Sequence, residues 1–110
     1  MGTLIFKVQG SAPEPYTTLF KRSGTKLTAT CSCPAGEVGQ YCKHRLNILN
    51  GIIDGIVSGN ESEVQTVMLW LKGTDVEKAL KQVREAEEKL EETKKQLNAF
   101  KKILARSLLD

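Results

Sequence analysis

The apolar positions change period along the chain, from two to that of a helix and then to seven. In "LIFKV", Leu4, Phe6 and Val8 alternate with Ile5 and Lys7, the two-residue period of a half-buried strand. "SAPEP" interrupts that pattern, and "YTTLFKR" resumes it with β-branched and aromatic residues. "SGT" at 23–25 offers a Gly-containing hairpin connection, beyond which Leu27, Ala29 and Cys31 alternate with Lys26, Thr28 and Thr30. These runs predict a small antiparallel sheet that delivers the chain into Cys31.

After Cys42 the spacing becomes helical. Leu46, Leu49, Ile53 and Ile56, with Ile48 and Ile52 beside them, predict a broad apolar stripe that lies on the sheet. Gly51, Gly55 and Gly59 recur every fourth residue on this helix, where they either admit a second backbone or break the helix. "SGNESE" at 58–63 is a break, from which Asn60 and Glu63 are expected to cap a short helix carrying Val64, Val67, Met68 and Leu71, with Trp70 in its core. Gly73 stops that helix, and Thr74 with Glu77 makes a capping box for the next.

From Thr74 to Leu109 there is no Gly or Pro. Val76, Val83, Leu90, Leu97 and Leu104 recur every seven residues, with Ala79, Ala86, Thr93, Phe100 and Ser107 three places later. These are heptad a and d positions, and the small or polar residues at d make the seam a weak one. A helix over this span is about 54 Å long, more than a 60-residue globule covers, so the pattern predicts a partner helix and a homodimer through residues 74–110. In a parallel pair Lys89 would face Lys94, which favours the antiparallel order. The expected architecture is α+β, divided into a sheet-and-knuckle domain at 1–58, a short connecting helix at 59–73 and a coiled-coil helix at 74–110.

Composition narrows the class. The chain is 40% hydrophobic and 26% charged, which suits a folded soluble domain. No apolar run approaches the roughly 20 residues of a spanning helix, so no membrane partner is expected. The first ten residues lack a cationic segment followed by an apolar core, and three cysteines are an odd number for a secreted disulfide scaffold, so the expectation is a cytoplasmic protein, or a nuclear one in a eukaryote. The net charge of +3 resides wholly in residues 1–60, where six Lys or Arg face three acids. That excess permits contact with phosphates without demanding it.

All three cysteines and the only histidine fall within "CSCPAGEVGQYCKH", residues 31–44. Three thiols and one imidazole complete a tetrahedral set for one structural Zn²⁺ per chain, held by Cys31, Cys33, Cys42 and His44. In an extended segment residues i and i+2 project to one side, so Cys31 and Cys33 can face one ion. Pro34 takes the chain off the strand, Gly36 and Gly39 let it turn back, and Cys42 and His44 arrive at a helix start, where free N–H groups favour a thiolate. A Cys31–Cys33 redox pair is the rival reading, but the usual motif has two intervening residues in a βαβ setting, and neither is present. Packing alone explains three clustered cysteines poorly.

Cys-x-Cys, eight residues, then Cys-x-His, after short strands and before an apolar helix, resembles the SWIM zinc finger. "CSCP", the Gly ahead of the third cysteine, and "CKH" running into "LNIL" carry that likeness, which covers about residues 16–57. The resemblance implies metal ligands at these same four residues and a module that binds DNA or protein. The chain has no ATPase loop, transposase triad or ligase domain, so an adaptor is expected, without a small-molecule substrate. Lys21, Arg22, Lys26, Lys43 and Arg45 are the candidate nucleic-acid contacts, although no base-reading helix and no exposed aromatic pair accompanies them. The alternative is a protein–protein scaffold in which zinc is only a staple. Catalysis is not expected, because the one imidazole is claimed by the metal and a four-ligand zinc leaves no open position for water.

Overall fold

The two-residue period becomes three antiparallel strands: β1 (Gly2–Val8), β2 (Tyr16–Ser23) and β3 (Lys26–Cys31). A computed structural model describes residues 2–109. The strands lie in the order β1-β2-β3, and Ser23 pairs with Lys26 across the hairpin at Gly24-Thr25. The register places Phe6 opposite Thr18 and Thr18 opposite Cys31. Phe6, Val8, Thr18, Phe20, Leu27 and Cys31 are therefore buried on one face, while Ile5, Lys7, Lys21, Thr28 and Thr30 look to solvent. Phe6 and Phe20 meet edge to face with centroids 6.0 Å apart, a favoured aromatic geometry, and form the centre of this side of the core.

Beyond the sheet come a one-turn helix α1 (Pro34–Glu37), then α2 (Lys43–Leu49), a 3₁₀ turn at Glu61–Glu63, α3 (Val64–Leu71) and α4 (Asp75–Ser107). The helix expected to run on through Ile56 stops at Leu49. Asn50 caps it, and Gly51 turns the chain at φ +81, a conformation side chains resist. Ile52 and Ile53 are consequently exposed rather than part of a stripe on the sheet. The glycine row thus breaks the helix. The freed segment crosses back to β1, where Gln9 N–H donates to the Gly55 carbonyl at 2.7 Å and Val57 N–H to the Lys7 carbonyl at 2.8 Å.

Asn60 does not cap the next helix. Its Nδ2 donates to the Ile5 carbonyl at 2.9 Å and its Oδ1 accepts from the Ser58 hydroxyl, so it ties the 58–60 turn to β1. Val64, Val67 and Leu71 of α3 are buried with Ile48 and Leu49 of α2, and Met68 covers Gly51. Trp70 is half-buried, its ring over Gly2, rather than central. Arg22 joins this helix to the hairpin: its Nη1 donates to the Trp70 and Lys72 carbonyls at 2.9 and 3.1 Å.

The capping box before α4 forms with one change. Glu77 N–H donates to Thr74 Oγ1 at 3.3 Å, while the Glu77 carboxylate accepts from Gly73 N–H rather than from Thr74. α4 then runs for 33 residues, about 50 Å. The chain divides after Glu77 into two compact units. No helix among the described residues is long and apolar enough to cross a membrane.

Candidate metal centre

Cys31 is the last residue of β3, and the chain stays on β2 for one residue more, since Ser32 N–H donates to the Thr17 carbonyl at 3.0 Å. Ser32 Oγ accepts from Thr17 N–H at 2.9 Å. This keeps the backbone extended, so Cys33 projects to the same side as Cys31. Pro34 then opens α1, for which Cys33 is the N-cap, its sulfur accepting from Gly36 N–H at 3.3 Å. The short helix brings the chain back to Cys42, the N-cap of α2, and His44 follows in that helix's first turn.

The four ligand atoms lie within 4.8 Å of one another. Cys33 Sγ and Cys42 Sγ are 3.3 Å apart, Cys42 Sγ and His44 Nδ1 3.6 Å, and Cys31 Sγ and His44 Nδ1 3.9 Å. Bonds of about 2.3 Å to sulfur and 2.0–2.1 Å to nitrogen set tetrahedral edges of roughly 3.5–3.8 Å, and these three separations lie within about half an ångström of them. The three cysteines are buried and free of disulfides. The donor set and its spacing therefore fit one structural Zn²⁺, held through three sulfurs and His44 Nδ1.

Residues beside the ligands hold them in place. Thr18, fully buried, donates its hydroxyl to Cys31 Sγ at 3.5 Å. Tyr16 packs on the His44 ring with centroids 5.1 Å apart. Gly36 sits so close to the end of β3 that a Cβ there would strike the Cys31 carbonyl oxygen. The sequence pattern marks Thr18 and Tyr16 only by their place with Phe20 on the inward face of β2. The thiols also differ in acidity. Burial pushes the Cys33 thiol up from its ordinary value of 9.0, against the pull of Gly36 N–H. Burial acts on Cys42 too, but the Arg45 backbone N–H and hydrogen bonds with Cys33, His44 and Cys31 outweigh it and bring this thiol down to about 6.

The five basic residues separate into two groups. Arg22 donates to backbone carbonyls in the hairpin and after α3. Arg45 donates to the Ala29 carbonyl at 3.1 Å and the Gln40 carbonyl at 2.6 Å, tying α2 to β3 and to the knuckle. Lys21, Lys26 and Lys43 are exposed, the first two near the hairpin and the third at the ligand cluster. A groove beside the centre is lined by Gln9, Ser11, Tyr41, Lys43, Asn47 and Asp54.

Comparison of the whole chain with curated proteins and with solved structures finds no match. Residues 6–49 match the family model of the SWIM zinc finger, a span that begins in β1 and ends with α2 and so contains all four ligands. Residues 6–49 thus have the SWIM zinc-finger pattern, with a four-ligand cluster that fits one structural Zn²⁺.

Proposed function

We propose that the chain is a non-enzymatic adaptor in which the zinc finger contacts a nucleic acid or a protein and α4 pairs with a second copy. The observation that carries the pairing is the exposure of Leu90, Leu97, Phe100 and Leu104, all 52–65% accessible and all at heptad positions of one continuous helix. A helix with so long an unpartnered apolar seam gains most by burying it against another. The finger supports binding over catalysis: four protein ligands close the zinc, and the only imidazole is one of them.

Light scattering on the full chain tests the pairing. A dimer is expected, and Leu97→Glu with Leu104→Glu should return a monomer that still holds one zinc. A monomeric wild type at high micromolar concentration refutes the reading. For the finger, labelled DNA is titrated at low and moderate salt: affinity that falls linearly with log[salt] supports phosphate contact by Lys21, Lys26 and Lys43. Commitment of Arg22 and Arg45 to backbone carbonyls supports the second reading, a protein–protein scaffold, in which no such affinity is found.

A further inference from the structure

We propose that the two copies of α4 pair antiparallel, with Leu90 of one copy level with Thr93 of the other; this rests on the reading that α4 self-associates. Leu80 is already buried, and Val76 and Val83 are half-buried in the single chain, so the unsatisfied apolar surface lies mainly beyond them. Charge, side-chain size and register then point to one arrangement.

The first argument is charge. Residues 75–92 carry seven acids against four bases, and residues 93–109 carry five bases and no acid. A parallel pair stacks acidic half on acidic half and basic on basic. An antiparallel pair lays each acidic half along the basic half of its mate, so one sequence complements itself.

Size gives the second. In a parallel pair a meets a and d meets d, so Ala86 would face Ala86 and Thr93 would face Thr93, leaving thin layers between thick ones. Antiparallel order sets a against d. With Leu90 level with Thr93, Leu97 meets Ala86 and Phe100 meets Val83, and each layer joins a longer side chain to a shorter one. Symmetry doubles these into six layers.

Register is the third. The same alignment brings Glu87 beside Lys94 at flanking e positions, twice by symmetry. A slip of one heptad either way sets Lys94 against Lys94 or Glu87 against Glu87, and one of those slips also crowds Leu90 against Phe100. The alignment is therefore favoured over its neighbours as well as over the parallel pair.

Cysteine cross-linking on the zinc-loaded full chain tests this. Ala86→Cys and Leu97→Cys are made separately, then mixed, allowed to exchange and mildly oxidised, with the unsubstituted chain reporting on the ligand thiols. A cross-linked dimer is expected in the mixture and in neither variant alone. Like positions would lie eleven residues apart, about 16 Å along the axis, well beyond the roughly 7 Å that a disulfide spans. Cross-links within each variant alone, or none in the mixture while light scattering shows a dimer, overturn the antiparallel register and leave self-association standing. A monomer by light scattering overturns self-association itself. As a second measurement, Lys94→Glu should weaken the dimer about tenfold and adding Glu87→Lys should restore it. Tightening by Lys94→Glu alone signals the parallel pair, where it would relieve the clash with Lys89.

Discussion

Residues 31–44 and residues 75–107 are held by opposite means. In the first, four side chains from a strand end, a loop and a helix start converge on one point, and only one-turn α1 and the first turn of α2 lie among them. In the second, 33 residues form one helix and Leu80 is the only one of them buried. The knuckle depends on long-range contacts that exist only when the sheet, the loop and α2 are all in place. The helix depends on bonds between residues four apart, which any sufficiently long run of good helix formers can make. Agents that attack convergence should therefore spare α4, and agents that attack its seam should spare the finger.

The largest effect expected is that of removing the metal. Structural zinc contributes on the order of 10 kcal/mol of apparent binding energy in small fingers at neutral pH, more than a core of this size supplies alone. Chelation, or Cys33→Ser, should therefore unfold the finger while α4 keeps most of its helicity. Circular dichroism with amide exchange checks it; protection that persists at 3–8 and 26–31 in verified metal-free protein would show that zinc is not the staple.

Acid should do the same by protonating the ligands. The Cys42 thiol sits at about 6 in the folded chain against an ordinary 9.0, so its stabilising contribution is complete above about pH 9 and is lost as the pH falls through 6. Cys33, displaced upward, acts in the opposite sense, its contribution complete below 9.0 and waning above it. Zinc competes with protons for the same thiolates, so the loaded finger should hold its metal at pH 7 and release it only well below the metal-free thiol's value of about 6. Zinc content after rapid gel filtration across that range reports the release; full retention at pH 4 would contradict it.

Smaller effects sharpen the contrast. Phe20→Ala empties the centre of the sheet core and should cost the zinc-loaded finger about 3–5 kcal/mol by denaturant titration, with the dimer unaffected. Gly36→Ala pushes the loop off the Cys31 carbonyl, and competition with a chelator should show zinc bound ten- to a hundredfold more weakly. Lys95→Ala, at an exposed f position of α4, should change neither finger nor dimer by more than about 0.5 kcal/mol.

The ligands and the strands were legible in the sequence because both are short-range patterns: alternation in β1 and β3, and three thiols with the only imidazole in fourteen positions. Where the chain turns was harder to read. "LNILNGIIDGIV" carries a helical apolar period that the three glycines override, and the segment's backbone finds better partners on β1 than in its own helix. Asn60 departs from its expected capping role for a related reason: its side chain can cap or reach across the fold, and only the position of Ile5 decides which. The register that puts Thr18 under Cys31 depends on strand pairing, which alternation constrains to one face without naming the opposite residue.

The crossing at 55–60 has one further consequence. A sheet of three strands has two open margins, and such margins can recruit strands from other molecules. Here the β1 margin is occupied by bonds from Gln9, Val57 and Asn60, and on the β3 margin the Ala29 carbonyl is taken by Arg45. Arg45 belongs to α2, and α2 is anchored to the sheet through Cys42 and His44. Loss of zinc should therefore uncover β3 at the moment the core loosens. Metal-free protein should then associate through this margin as well as unfold, which light scattering after chelation would show.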